Sequence, residues 1–291
     1  MRTRDAPAKI NLALHITGRR ADGYHLIESF VVFTGLGDRV SARLADHDAF
    51  VLEGSEAGAL SAEDATGNLV VRARDALRKA AGQSGRELPP VDITLDKRLP
   101  VASGIGGGSA DAAATLRLLC DVWDFRPAPE QLAQIALGLG ADVPMCLNGQ
   151  PLIARGIGEA LEPAALGFVL DLVIVNPRIG VSTPAVFGAL ESRENAPLPA
   201  LPGLCDRDRF IAWLKGTRND LEPPARGLVP AIGDCLSALT GAGALFARMS
   251  GSGASCFGLF HDADAAQEAA NRLRRERTGW FIAETRTVTS S

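Results

Sequence analysis

The sequence has no Lys/Arg block, no apolar stretch of membrane-spanning length, no Cys-x-x-Cys pair and a single tyrosine in 291 residues. Each absence removes a class of function. Lys+Arg number 30 against 34 Asp+Glu, a formal charge of −4. Without a basic stripe to neutralise phosphates, a nucleic-acid partner is not expected. The longest apolar run, Leu166–Val175, is interrupted by Asp171 and is too short for a bilayer, so no membrane partner is expected. Met1–Pro7 carries basic residues with no apolar segment behind them, which predicts no secretory signal. The five cysteines, Cys120, Cys146, Cys205, Cys235 and Cys256, lack disulfide or zinc-ribbon spacing. Each is expected to be a small buried hydrophobe in a reducing cytoplasm. His15, His25, His47 and His261 form no ligand-spaced cluster, so no structural metal is expected.

What is present is ordinary globular material, 46% hydrophobic and 22% charged, enough for one large domain or two modest ones. Ile10, Leu12, Leu14 and Ile16 alternate with Lys9, Asn11, Ala13 and His15, which predicts a strand with Lys9 and Asn11 on its second face. Arg19–Gly23 reads as a turn and Leu26–Val32 as the returning strand. Helical spacing covers Asn68–Ala81 and Pro129–Leu139, each followed by glycine, and Val91–Leu95 alternates as a strand. In the C-terminal half, strands at 170–175, 245–249, 256–260 and 280–287 are interleaved with helices near 184–190, 229–239 and 263–275. That succession predicts an α+β fold, helices on one side of an antiparallel sheet. A domain change is expected near Arg155.

The densest signal runs from Pro100 to Ala110, Pro-Val-Ala-Ser-Gly-Ile-Gly-Gly-Gly-Ser-Ala, between a strand and a helix. Glycine allows positive φ and close backbone approach, and a helix N-terminus offers free N–H groups at the positive dipole end. Together they predict an anion cradle suited to a polyphosphate. No Gly-Lys-Ser/Thr follows, Ser109 stands where a dinucleotide fingerprint needs its last glycine, and protein-kinase signatures are absent. Other residues are ambiguous locally. Lys9 and Asn11 fit a solvated outer face better than a function. Asp142, in Gly138–Pro144, fits a helix cap or Asx-turn as well as a chemical role. Tyr24 and His25 fit a core pair, and Gly251–Ser255 fits a plain hairpin loop.

Read together these pieces are more specific. Pro7-Ala-Lys-Ile-Asn-Leu12, Gly18-Arg-Arg-Ala-Asp-Gly-Tyr-His25, Leu99 through Ala113, Gly140-Ala-Asp-Val-Pro144 and Gly251-Ser-Gly-Ala-Ser255 occur in that order. The chain resembles the GHMP kinase superfamily of galactokinase, homoserine kinase, mevalonate kinase and phosphomevalonate kinase, over nearly its whole length. The resemblance implies a two-domain fold. An ATP-binding domain like ribosomal protein S5 domain 2 would occupy 1–155, and a ferredoxin-like, substrate-binding α/β sandwich 156–291. It implies ATP over Pro100, Val101, Ala102, Ser103, Gly104, Ile105, Gly106, Gly107, Gly108, Ser109 and Ala110, with Asn68 and Lys97 bordering the adenine. Asp142 would orient the acceptor hydroxyl first and take its proton second. Lys9 would contact Asp142 and the developing charge, and Asn11 would hold the pair in register. Mg²⁺ would be held mostly by ATP and water, since the motifs contain no identifiable acidic ligand.

The Ala-Lys-Ile-Asn and Asp-Gly-Tyr-His segments resemble those of members that phosphorylate a cytidine-diphosphate-linked polyol for non-mevalonate isoprenoid synthesis. By motif position Tyr24, Phe187 and His25 would grip the cytosine, with Thr183 beside them. The resemblance implies a cytoplasmic monomer or weak homodimer. The alternatives are another GHMP small-molecule kinase, of mevalonate or homoserine type, and a non-catalytic nucleotide- or RNA-binding protein on an S5-like fold. One departure stands out. Ala102, Ser103 and Ala110 occupy positions where the family has more glycine and a second serine, which is harmless if their φ values are negative.

Overall fold

The computed structural model describes residues 1–60, 67–203 and 206–288. They form two contact units that are not single stretches of sequence. The first comprises Met1–Ala8, Gly37–Val101 and Gly106–Gly149, and the second Lys9–Leu36, Ala102–Ile105 and Gln150–Ser291. One cut near 155 therefore does not separate them. Two long paired strands, β1 (Arg2–Arg19) and β2 (His25–Leu44), contribute residues to both units. β2 runs well past the expected Val32, through Gly35 and Gly37, residues that look like breakers. Gly37 is required by strand contact, because a Cβ there would lie 2.3 Å from the Ala6 carbonyl oxygen.

In the first unit β2 pairs antiparallel with β4 (Val91–Asp96), and β3 (Ala49–Glu53) lies parallel to β4. A parallel pair needs a crossover, and α1 (Leu69–Gln83) provides it. β4 alternates as its sequence predicts, sending Val91, Ile93 and Leu95 inward. They meet Val70, Ala73, Leu77 and Ala81 of α1 and Leu116 and Leu119 of α2 (Gly107–Val122) in one core. Residues Ala110–Leu116 of α2 are buried in succession, and the small alanines permit that close packing on several sides. α3 (Pro129–Leu139) has the predicted bounds, and α4 (Val143–Asn148) completes the unit.

In the second unit β2 pairs with β5 (Leu152–Gly156), and β5 with β6 (Ala160–Pro163). A separate antiparallel sheet has the order β10–β7–β9–β8, formed by β7 (Asp171–Asn176), β8 (Phe246–Met249), β9 (Cys256–Phe260) and β10 (Phe281–Arg286). Counting its strands one to four along the chain, the order is 4-1-3-2, with α8 (Ala231–Gly241) and α9 (Ala263–Glu276) in the two connections. This is the ferredoxin-like βαββαβ arrangement that the resemblance implies. Val173, Val175, Ile232, Leu239, Phe260 and Leu273 belong to its core. The connection ahead of α8 also holds α5 (Thr183–Gly188), α6 (Arg207–Lys215) and α7 (Glu222–Leu228). Cys120, Cys235 and Cys256 are buried thiols and Cys146 is a half-buried one; Cys205 lies outside the described residues. No described helix is long and apolar enough to cross a membrane.

His15 of β1 is fully buried. The Arg218 N–H donates to its Nε2 (3.1 Å), so the ring proton sits on Nδ1 and is donated to the Ala196 carbonyl (3.1 Å). Asn195 and Leu198 donate backbone N–H groups to the Ile16 carbonyl and Glu28 Oε2, so the start of the proline-rich stretch docks along β1 and β2. Burial, with lesser help from the Arg218 charge, holds the His15 pKa below its ordinary 6.5. The unfolded chain therefore takes up this proton at a higher pH than the folded one, and stability falls as pH drops through that value. His15→Gln is expected to flatten this part of the slope when urea midpoints are compared between pH 7.5 and 5. An unchanged slope would remove His15 as its source.

Candidate active site

Within the second unit, Lys9 and Asn11 are 4% and 2% exposed, so the solvated face that their pattern suggests is closed. Lys9 Nζ donates to Asn11 Oδ1 (3.1 Å). Asn11 Nδ2 donates to Ser29 Oγ (2.8 Å), whose hydroxyl donates to the Ala13 carbonyl (2.7 Å). These bonds fix the amide with its oxygen toward the ammonium and its nitrogen toward the hydroxyl. Asn11 is thus built to hold Lys9 in place.

The middle of the glycine loop is bonded to the same strand. The Lys9 N–H donates to the Ile105 carbonyl (2.9 Å), and the Asn11 N–H to Ser250 Oγ (3.1 Å). Ser250 Oγ in turn donates to the Gly104 carbonyl (3.0 Å), and the Ser255 N–H to the Ser103 carbonyl (3.0 Å). Gly104 has φ +75°, and a Cβ there would lie 2.5 Å from the Ser250 carbonyl oxygen. Gly251, at φ +57°, is equally confined, 2.8 Å from the Gly104 oxygen. Residues 251–255 are therefore more than a hairpin loop; they interlock with 103–105 backbone to backbone. Asn219 braces that turn, donating to the Met249 (2.8 Å) and Gly251 (2.9 Å) carbonyls. Thr183 and Ser252 share a hydroxyl–hydroxyl hydrogen bond of 2.7 Å. Ser29 and Ser250 were not predictable as site residues from their neighbours in sequence, although the Gly-Ser-Gly motif marks the turn beside Ser250.

Ala102 corrects one expectation. Its φ is +49°, in the left-handed region where a Cβ costs roughly 1–2 kcal/mol. Ala102→Gly is expected to raise stability by about 1 kcal/mol, measured by urea unfolding; a loss would contradict the strain.

Within the first unit, the loop's last glycines open α2. Gly106 is its N-cap at φ +66°, and Gly107, Gly108 and Ser109 form the first turn with no acidic residue among them. Their N–H groups lie beyond the reach of intrahelical acceptors and are oriented for an anion. Asn68 is the N-cap of α1, its Oδ1 accepting from the Val70 N–H (2.9 Å). Lys97 is 2% exposed and paired with Asp38 and Asp111. Asp142 is half-buried at the N-cap position of α4, yet its side chain accepts no capping hydrogen bond. The helix-cap reading of its carboxylate does not hold.

Of the aromatic set in the second unit, His25 and Phe187 come together, ring centroids 4.9 Å apart and 31° from parallel. Tyr24 is 61% exposed and makes no ring contact among the described residues. Thr183 and Phe187 are one turn apart on α5, capped by Ser182. His25 Nε2 is buried without a hydrogen-bond partner, and burial followed by the Arg19 and Arg193 charges holds the ring pKa low. A neutral imidazole with an unused polar nitrogen is suited to a neutral heteroaromatic ligand. Among the described residues no three His, Cys, Asp or Glu side chains are gathered to hold a metal.

A glycine-loop kinase for small molecules is the class that this fold and this loop define. The family model for the GHMP kinases N terminal domain matches residues 68–150, and that for GHMP kinases C terminal matches 202–277. A 4-diphosphocytidyl-2-C-methyl-D-erythritol kinase from Mesorhizobium japonicum is 56% identical, covering 99% of this chain and 97% of its own. One from Chelativorans sp. is 53% identical, with 98% and 96% covered. A crystal structure of 4-(cytidine 5'-diphospho)-2C-methyl-D-erythritol kinase superimposes with TM-score 0.80 at 33% identity, covering 99% of this chain and all of that one. Homoserine kinase from Cytophaga hutchinsonii, at 20% identity and TM-score 0.68, shares the fold. The chain belongs to the GHMP kinases, in their 4-diphosphocytidyl-2-C-methyl-D-erythritol kinase family.

Proposed function

We propose that this enzyme transfers the γ-phosphoryl group of ATP to the 2-hydroxyl of 4-diphosphocytidyl-2-C-methyl-D-erythritol, giving the 2-phosphate and ADP. The step belongs to non-mevalonate isoprenoid precursor synthesis. The observation that carries this reading is the identity above 50% over almost the full chain to kinases of that name. Mevalonate- and homoserine-type kinases share the fold at 20% identity or less.

Phosphoryl transfer asks a protein chiefly for positioning and charge stabilisation. The free N–H groups of Gly107, Gly108 and Ser109 receive the ATP phosphates, and the rigid 103–105 segment keeps the loop backbone in place. Mg²⁺ would be held mostly by ATP and water and would supply charge neutralisation on the phosphates. The acceptor oxygen forms its bond to the γ-phosphorus as the bond to the β-bridging oxygen breaks. Asp142 orients the hydroxyl and receives its proton late in the transfer. Lys9, held by Asn11, stabilises the developing charge on oxygen. The cytosine stacks on Phe187 beside His25, with Tyr24 and Thr183 at its edge; residues 1–155 carry the ATP cradle, and residues 156–291 bind substrate together with Tyr24 and His25. The enzyme acts in the cytoplasm as a monomer or weak homodimer.

The decisive assay is ADP release with Mg-ATP, comparing the cytidylated acceptor with mevalonate, homoserine and galactose. Turnover with the first alone supports the reading, and turnover with another acceptor instead overturns it. Phe187→Ala should raise KM for the cytidylated acceptor about tenfold, since one stacked base contributes roughly 1–3 kcal/mol, while KM for ATP stays put. An equal rise in both would remove Phe187 from the cytosine site.

A further inference from the structure

Beneath the first turn of α2 lies a buried ionic cluster with no place in the mechanism above. Lys97 follows β4 directly, and its Nζ donates to Asp38 Oδ2 (2.5 Å) and Asp111 Oδ2 (2.8 Å). The three residues are 2%, 1% and 2% exposed for Lys97, Asp38 and Asp111. The other Asp38 oxygen accepts the Arg98 (2.6 Å) and Leu99 (2.8 Å) N–H groups, so Asp38 pins the chain where it leaves β4. Asp111 projects from α2. One ammonium therefore ties the exit of β4 to the beginning of the helix that bears the anion-binding N–H groups.

Gly107 rests on this ammonium. A Cβ at Gly107 would lie 3.0 Å from Lys97 Nζ and 3.6 Å from Asp38 Oδ2. The glycine is thus demanded from below by the cluster, independently of any phosphate above it. Burial opposes the Lys97 charge, but the Asp111 and Asp38 carboxylates together outweigh it and hold its pKa above the ordinary value. Asp111 is pushed up to about 8, by burial first and by the Asp38 charge, against the pull of Lys97. Its Oδ1 is buried with no hydrogen-bond partner. Two buried carboxyl groups sharing one ammonium, one of them kept largely protonated near neutral pH and with an unsatisfied oxygen, is a poor way to gain stability. Hydrophobic side chains would fill the space at lower cost, which points to a positional task.

We propose that Lys97 is a positioning residue for ATP: clamped between Asp38 and Asp111, it sets the first turn of α2 and its glycines at the height the phosphates require. This rests on the glycine loop being the ATP cradle. Asp111 acts through Lys97, and Asp38 acts both through it and by holding the Arg98 and Leu99 N–H groups.

The test uses the full-length enzyme, with ATP Kd from direct titration and full kinetics. Lys97→Met should raise the Kd and KM for ATP at least tenfold. At saturating ATP, kcat should stay within about threefold, and KM for the cytidylated acceptor should not move. The double variant Lys97→Met/Asp111→Leu removes the stranded carboxylate and is expected to recover the wild-type Tm while ATP affinity stays at least tenfold down. That split separates positioning from stability and serves even where the single variant fails to fold. Wild-type ATP affinity in the folded double variant would overturn the proposal. Gly108→Val, whose Cβ meets only Leu69 Cδ1 at 3.4 Å and not the cluster, tests the cradle itself: weakened ATP binding there, with none in the Lys97 variants, sinks the positioning role alone. Unchanged ATP binding in all of them sinks the cradle as well.

Discussion

Asp142→Asn is expected to lower kcat by about 10²–10⁴-fold, the usual contribution of a positioned general base, with ATP affinity unchanged. The substitution keeps the shape of the side chain and removes its ability to accept the acceptor's proton. Its cleanness depends on what Asp142 does for the fold. The residue begins α4, but its side chain caps no helix N–H, so the variant should retain α4. A variant that folds, binds ATP and turns over at the wild-type rate would remove Asp142 from the mechanism. A small residual rate is compatible with it, because hydroxyl orientation by the amide and the remaining charge stabilisation survive.

Lys9→Met should follow with a fall in kcat of about 10²–10³-fold, comparable to deleting one preorganised donor to developing charge. Methionine fills most of the same volume, so the packing around a 4% exposed side chain is largely kept. The kinetic signature carries the information. An ammonium that acts on charge appearing in transfer costs kcat and kcat/KM together, whereas one that only binds ground-state phosphate raises KM for ATP at constant kcat. The second pattern would move Lys9 from the chemistry to substrate binding. Asn11 should matter to kcat through Lys9, whose ammonium it accepts from, while its bond to Ser29 fixes the amide itself.

The glycine loop was legible because its signal is local. A strand, a run of glycines and a helix-forming stretch occupy consecutive positions, and Gly106–Gly108 do begin α2. The long helices were legible for the same reason, α3 to the residue. Among the elements that escaped, β3, β5 and β6 have five residues or fewer, and α4 and α7 carry proline at their second position. Periodicity over one turn or two pleats cannot separate such pieces from loop. The aromatic set that the resemblance assigns to cytosine could be named from motif position, but its geometry could not. The structure pairs His25 with Phe187, while Tyr24 stands in solvent.

By itself the sequence determined the α+β class, the position of the loop at a helix start and, through ordered motifs, membership of a kinase superfamily. These depend on the order of residues within segments of ten or twenty. Only the tertiary structure decided what covers the polar face of β1. Alternation tells polar from apolar, but Asn11 is satisfied by Ser29 and Ser250, 18 and 239 residues away. It also decided why particular glycines are needed: Gly104 by the carbonyl of Ser250, Gly107 by the Lys97 ammonium. The membership of the two contact units was decided at the same level. β1 and β2 are each continuous in sequence yet contribute residues to both, because a unit is defined by which side chains share a core rather than by where the chain is cut.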